Sequence, residues 1–162
     1  MYGRLSLSVF VGVLAGLFPH LAGAADGPGA GSAEPVEIVV YKSPTCGCCG
    51  KWEDHLRRNG FEVVSKPVER LEQIKQAHGV APALRSCHTA LVNGYIIEGH
   101  VPAEDVSRLL AERPENIRGL SAPGMPQHSP GMQPEGLPPR DYDVIAFDKE
   151  GRAWVYRSYR SD

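Results

Sequence analysis

Three cysteines within four residues constrain this chain more than any other feature. Cys46, Cys48 and Cys49 stand in Ser43-Pro44-Thr45-Cys46-Gly47-Cys48-Cys49-Gly50, after the β-branched run Val36-Glu37-Ile38-Val39-Val40-Tyr41. Residues with helical spacing follow, among them Trp52, His55 and Leu56. A disulfide inside such a cluster closes a very small loop and restricts the unfolded chain little, so a purely structural role does not explain it. A strand–loop–helix context places the sulfurs at a helix N-terminus, where free N–H groups and the helix dipole favour thiolate over thiol. Thiolate is both the attacking nucleophile of disulfide exchange and the form that binds metal. Cys46 and Cys49 alone have the C-x-x-C spacing of a dithiol redox pair. The inserted Cys48 adds a sulfur that disulfide exchange does not need and a metal site does. Soft thiolates select copper(I), zinc or iron–sulfur clusters, and spacing alone does not decide between copper and zinc.

The remaining pattern predicts a β-α-β-α-β-β-α order. The first strand covers 36–41 and the first helix 48–59, stopped by Gly60. A second strand follows at 61–64. A second helix over 69–78 carries Leu71, Ile74, Lys75 and His78 along one side and ends at Gly79. Thr89-Ala90-Leu91-Val92 and Tyr95-Ile96-Ile97-Glu98 flank Asn93-Gly94, the preferred dipeptide of a type I′ hairpin. Pro102 suits the first turn of a third helix running to about Glu112, with Val106, Leu109 and Leu110 inward. A crossover helix between early strands and a late hairpin is the thioredoxin arrangement, an α/β fold with a mixed sheet between helices. In that arrangement the residues entering the third strand face the C-x-x-C loop. Ser86-Cys87-His88-Thr89 enters it here, with His88 where such folds carry a cis-proline and Cys87 just before it. Cys87 is thus a fourth ligand or a redox partner, against the alternative of a buried structural thiol. His88 is a candidate ligand or a hydrogen-bonded packing residue.

Between Pro114 and Arg140 there are seven prolines, and this stretch is expected to lack regular structure. It holds Met125, His128 and Met132, and the two methionines lie in a polar Pro/Gly loop instead of an apolar stripe. Thioether and imidazole are copper ligands that do not form disulfides, which makes Met125, Met132 and His128 candidate ligands; gap-filling over the sheet is the bland alternative. His100 is a candidate for supporting a ligand, and His55 and His78 read as surface or packing residues. Tyr142 to Phe147 and Ala153 to Tyr156 predict a C-terminal hairpin at the sheet edge, with Trp154, Tyr156 and Tyr159 packing it.

The first residues belong to no core. Arg4 precedes the apolar run Leu5 to Phe18, and Leu21-Ala22-Gly23-Ala24 offers small residues at a cleavage site. This is the pattern of a secretory signal peptide over residues 1–24, and Pro19 and His20 argue against an uncleaved anchor. Residues 25–35 form a flexible Gly/Ala/Pro leader, and 36–160 the thioredoxin-like metal-binding domain. Export places the domain in the periplasm with no membrane span after processing. A formal charge of −2 without basic blocks gives no electrostatic case for nucleic acid.

Ser43 to Gly50, Ser86-Cys87-His88-Thr89-Ala90, Gly94-Tyr95, Glu98-Gly99-His100-Val101-Pro102 and Pro123-Gly124-Met125-Pro126 with Ser129-Pro130-Gly131-Met132 together resemble the CopG-type periplasmic copper-resistance proteins. The resemblance spans about residues 36 to 157. It implies a thioredoxin-like fold and a multinuclear copper(I) cluster on Cys46, Cys48, Cys49 and Cys87, covered or supplemented by the Met125/Met132 loop. It also implies interconversion of copper(I) and copper(II) in detoxification, with copper-efflux components as partners. His128 has no match in that pattern. Two other functions compete: a thiol–disulfide oxidoreductase working through Cys46 and Cys49, and a passive copper metallochaperone.

Overall fold

The computed structural model describes residues 34–161, together with Gly3. The signal peptide expected at 1–24 and nearly all of the leader lie outside the described residues. Strand β1 (Val36–Lys42) buries Ile38 and Val40 completely and feeds the turn that leads into helix α1 (Gly47–Arg58). The helix ends where expected: Asn59 bonds back to the His55 carbonyl, and Gly60 takes a positive φ of 87° that a side chain would resist. Strand β2 (Phe61–Pro67) then returns parallel to β1, with α1 as the crossover.

Helix α2 (Leu71–Ala77) and a 3-10 turn at Pro82–Leu84 lead to β3 (His88–Val92), which runs antiparallel to β1. Asn93 and Gly94, both at positive φ, turn the chain into β4 (Tyr95–Glu98), as the dipeptide predicts. Helix α3 (Ala103–Glu112) begins one residue later than expected, with Pro102 at its cap position instead of inside its first turn.

The stretch after α3 corrects the expectation of an irregular segment. Gly119–Ser121 forms β5, parallel to β4 and antiparallel to β6 (Tyr142–Phe147). Three residues suffice because both neighbours supply ladder partners. Gly119 is required, since a Cβ there would run into the Ile96 backbone and the Phe147 ring. Strand β7 (Ala153–Tyr159) closes the C-terminal hairpin, so the sheet has, among the described residues, seven strands in the order β2-β1-β3-β4-β5-β6-β7. The architecture is thioredoxin-like, and the hairpin joins it through β5.

Both faces of the sheet are covered, and consecutive residues show it. Ile97 packs with Trp52 and Leu56 of α1 and Val106 and Leu109 of α3, whereas Ile96 packs with Val80, Leu84 and Phe147 on the other face. Each of these large side chains contributes roughly 1.5–3 kcal/mol on burial. Among the described residues no helix is long and apolar enough to cross a membrane.

Candidate metal centre

Register alone brings the cysteines together. Lys42, at the end of β1, lies opposite His88 at the start of β3. The loop leaving β1 carries Cys46, Cys48 and Cys49, and the residue entering β3 is Cys87, so antiparallel pairing sets the fourth sulfur beside the other three. All four Sγ atoms lie within 4.8 Å of one another. Two sulfurs sharing one metal ion at a thiolate–metal distance of about 2.3 Å are at most about 4.6 Å apart, so the cluster is close to ligand spacing without rearrangement of the fold. Cys46 and Cys49 are joined as a disulfide, with Cα atoms 5.4 Å apart, and Cys48 and Cys87 are free thiols. Cys48 Sγ is 3.6 Å from Cys46 Sγ, and Cys49 Sγ is 3.7 Å from the Cys87 carbonyl. Cys46 occupies the position just ahead of α1, and no side chain caps the helix there. The first N–H groups of α1 therefore have no side-chain partner at the cap.

Two histidines close the other side of Cys87. His88 and His100 are both fully buried. His88 packs against Trp52 with ring centroids 4.2 Å apart, and Trp52 is itself fixed by an Nε1–H bond of 2.8 Å to the Val101 carbonyl. His88 Nδ1 lies 3.4 Å from Cys87 Sγ, and its Nε2 has no hydrogen-bond partner among the described residues. His100 donates from Nδ1 to the Pro130 carbonyl at 2.7 Å, which leaves Nε2 as the lone-pair nitrogen, 3.0 Å from Cys87 Sγ. Burial holds both rings below the usual histidine range, hence neutral. Burial, and after it the charge of neighbouring Cys48, pushes the Cys87 thiol up to about 12. The Cys87 thiol is within donating distance of His100 Nε2.

Three comparisons bear on this geometry. A family model described as a protein of unknown function, DUF411, matches residues 84–132, from the approach to Cys87 through the methionine loop. No curated protein matches. Two solved structures do, titled copper resistance protein copG, form 2 and form 1. Form 2 is 37% identical with a TM-score of 0.71, and the match covers 78% of this chain and 99% of that one. Form 1 is 36% identical with a TM-score of 0.72, covering 79% of this chain and all of the other. The chain belongs to the CopG copper-resistance family.

In this CopG-family chain a buried ion pair supports the cysteine-bearing strand. Lys75 Nζ lies 2.5 Å from Glu98 Oε1, and both side chains are almost wholly inaccessible. The Thr89 hydroxyl donates to the second Glu98 oxygen at 2.7 Å, and the Ser86 N–H donates to the first at 2.6 Å. Glu98 therefore fixes residues on both sides of Cys87. Sequence reasoning missed this pair. The one available signal was a lysine in line with Leu71 and Ile74 on the inner side of α2.

The Pro/Gly loop is seated on the same site. Gly131 has a φ of 86°, and a Cβ there would come within 2.7 Å of the Trp52 nitrogen and 3.0 Å of the Cys48 carbonyl oxygen. The Ser86 hydroxyl donates to the Gly124 carbonyl. The sequence candidates on this loop are placed differently from one another. Met132 is half-buried and lines a cavity of about 650 Å³ with Lys51, His55 and Arg58. Met125 is 56% exposed. His128 faces Asp141, Nδ1 to Oδ2 3.3 Å, and is not among the donors gathered around the cysteines. His55 has a packing role, accepting the Ala103 N–H at the start of α3.

Proposed function

We propose that this chain is a periplasmic copper-resistance protein that holds copper(I) on Cys46, Cys48, Cys49 and Cys87 and couples the metal's oxidation state to that of the thiols. The observation that carries the reading is the convergence of four sulfurs, two more than disulfide exchange uses, in one place on the fold. Copper is the ion named in the titles of the solved relatives. An all-sulfur donor set suits copper(I) and zinc alike, so the choice of copper rests on the relatives. The redox coupling balances on the residues present: two copper(II) ions each accept one electron, the Cys46 and Cys49 thiolates join as a disulfide, and two copper(I) ions result. His88 stands beside the cluster as a further ligand. Met132, under the loop, is better placed than Met125 to shield it, and His128 has the least support. The bound copper would pass to efflux components. The leader places the mature N-terminus at Ala25 or Asp26.

Anaerobic copper(I) titration of the fully reduced protein, with X-ray absorption of the product, tests this. More than one copper per chain in a sulfur-dominated shell is expected, and a shell without sulfur would overturn the reading. The Cys46–Cys49 disulfide favours a second reading, a thiol–disulfide oxidoreductase. Rapid reduction of insulin disulfides by the reduced protein would support that reading. Against it stand Cys48, which such an enzyme does not require, and His88 at the position entering β3.

A further inference from the structure

We propose that the cleft between the β3–β4 turn, the end of α3 and the β6–β7 turn binds a phosphate monoester, with the phosphoryl group held by Arg113, Arg118 and Lys149. The cleft lies at the far end of β3 from Cys87, and the inference does not depend on the copper reading above.

Charge sets this cleft apart. It encloses about 490 Å³, a size suited to a small molecule, and its three cations face a single lining carboxylate, Glu115. The cavity under the Pro/Gly loop is balanced by contrast, with Lys51 and Arg58 set against Asp54 and Glu135. Most arginines of this chain answer a nearby acid: Arg152 meets Asp148, Arg160 meets Asp143, and Arg157 meets Glu104 and Asp105. Arg113, Arg118 and Lys149 have no ion pair among the described residues. The chain as a whole is formally −2, so a basic composition does not explain the local excess. The two positive charges left unanswered match a phosphate monoester, which carries about −1.5 to −2 at neutral pH.

Two of the three cations stand on fixed backbone. The Arg118 N–H donates to the Phe147 carbonyl at 2.7 Å and its carbonyl accepts the Ile96 N–H at 3.1 Å, which locks the residue between β4 and β6. Arg113 caps α3 in the left-handed region with φ 48°, a conformation that helix ends ordinarily give to glycine or asparagine. An arginine there bears a conformational cost that a use for its side chain would explain. Its Nε–H donates to the Leu110 carbonyl at 3.3 Å, and its terminal NH2 groups have no partner among the described residues. Guanidinium groups present paired N–H donors that fit two phosphate oxygens, and the lysine adds a point charge. Leu110 and Ile117, both half-buried, supply an apolar wall together with the Tyr95 ring, whose hydroxyl is committed to the Pro114 carbonyl. The ligand that fits is therefore a phosphate with an apolar body. A soluble phosphate ester and a lipid headgroup share that chemistry.

Titration of the whole protein with phenyl phosphate, followed by amide NMR shifts, tests the site. Saturable shifts at Gly94 and Arg118 are expected, with weaker binding of inorganic phosphate, which leaves the apolar wall uncovered. Arg118→Gln with Lys149→Gln should weaken phenyl phosphate by at least about 10-fold. Lys66→Gln with Arg70→Gln removes the same charge from outside the cleft and should leave the affinity unchanged. Arg113→Gly suits the left-handed backbone, so it should keep or gain thermal stability while losing affinity, a split that a purely structural arginine would not show. Phosphatidic acid vesicles, set against neutral vesicles, identify the source. Capture that the Arg118→Gln, Lys149→Gln protein loses assigns the phosphate to a lipid, and phenyl phosphate binding without capture assigns it to a soluble molecule; both support the site. Neither saturable shifts nor capture, equal weakening in the two double variants, or full affinity in Arg113→Gly would overturn it.

Discussion

The centre of the sheet and its C-terminal edge bury polar groups in different company. At the central β3–β4 pair, Lys75, His88, Thr89, Glu98 and His100 are all buried, and their contacts lead to Cys87 and to Ser86 beside it. At the β6–β7 edge, Tyr142 and Tyr159 stack with centroids 5.2 Å apart in a cluster with Val144, Ala146 and Leu109, and buried Asp105 is answered by the Tyr159 hydroxyl at 2.7 Å. Each region also has one buried polar atom without a partner among the described residues: His88 Nε2 at the centre and the Tyr142 hydroxyl at the edge. The surroundings make them different. The histidine belongs to a ring whose other nitrogen faces a sulfur, so its position has a chemical use. The tyrosine's burial and nearby acids push its hydroxyl far up, leaving it neutral and without a role beyond stacking. A polar interior is expensive, and the Lys75–Glu98–Thr89 network, with every side chain buried, is the one that abuts the cysteine-bearing strand.

The sharpest way to break the comparison is to remove one partner of the buried pair. Lys75→Met leaves the Glu98 carboxylate buried without its cation, and a loss of about 3–5 kcal/mol in denaturant unfolding is expected. The double variant Lys75→Met, Glu98→Leu should recover most of that loss. Recovery of stability without recovery of copper affinity would show that Glu98 serves to position Cys87 through Ser86. A single-variant loss under about 1 kcal/mol would mean that the pair is hydrated.

Gly131→Ala comes next. Its Cβ meets the Trp52 and Cys48 backbones, and its φ disfavours any side chain, so about 1–3 kcal/mol should be lost. The loop would lift and take the Pro130 carbonyl from His100. Faster alkylation of Cys87 than in wild type is the expected signature, and an unchanged rate would show that the loop does not guard the site.

Tyr142→Phe has the smallest effect. Deleting a hydroxyl that makes no hydrogen bond should leave stability within about 1 kcal/mol of wild type, or raise it. A melting experiment showing a loss of about 2 kcal/mol would reveal a partner for that hydroxyl and erase the contrast between the two regions.

Much of this architecture was legible in the sequence because its signals are local. The β-branched run of β1, Gly60 at the end of α1 and Asn93-Gly94 between β3 and β4 each specify a backbone conformation within a few residues. The cysteines were legible as a cluster for the same reason, and Cys87 through the topology that sets β3 against β1. Strand β5 was not, since Gly119-Leu120-Ser121 has no strand signature of its own and is held by two neighbours distant in sequence. The Lys75–Glu98 pair joins a helix to a strand 23 residues on, and neither residue looks unusual alone. The contact of His100 with Cys87 was not legible, because the ring is oriented by Pro130, on a loop with no periodicity to place it.

The central claim is that Cys48 is a metal ligand and not an ornament on a C-x-x-C pair. Anaerobic copper(I) titration of reduced wild type and reduced Cys48→Ser, against a competing chelator, tests it directly. The account predicts a lower copper stoichiometry in the variant, or an affinity reduced by at least about 10–100-fold, although Cys46, Cys49 and Cys87 remain. Equal stoichiometry and equal affinity in the two proteins would contradict it and return the site to a two-cysteine redox pair.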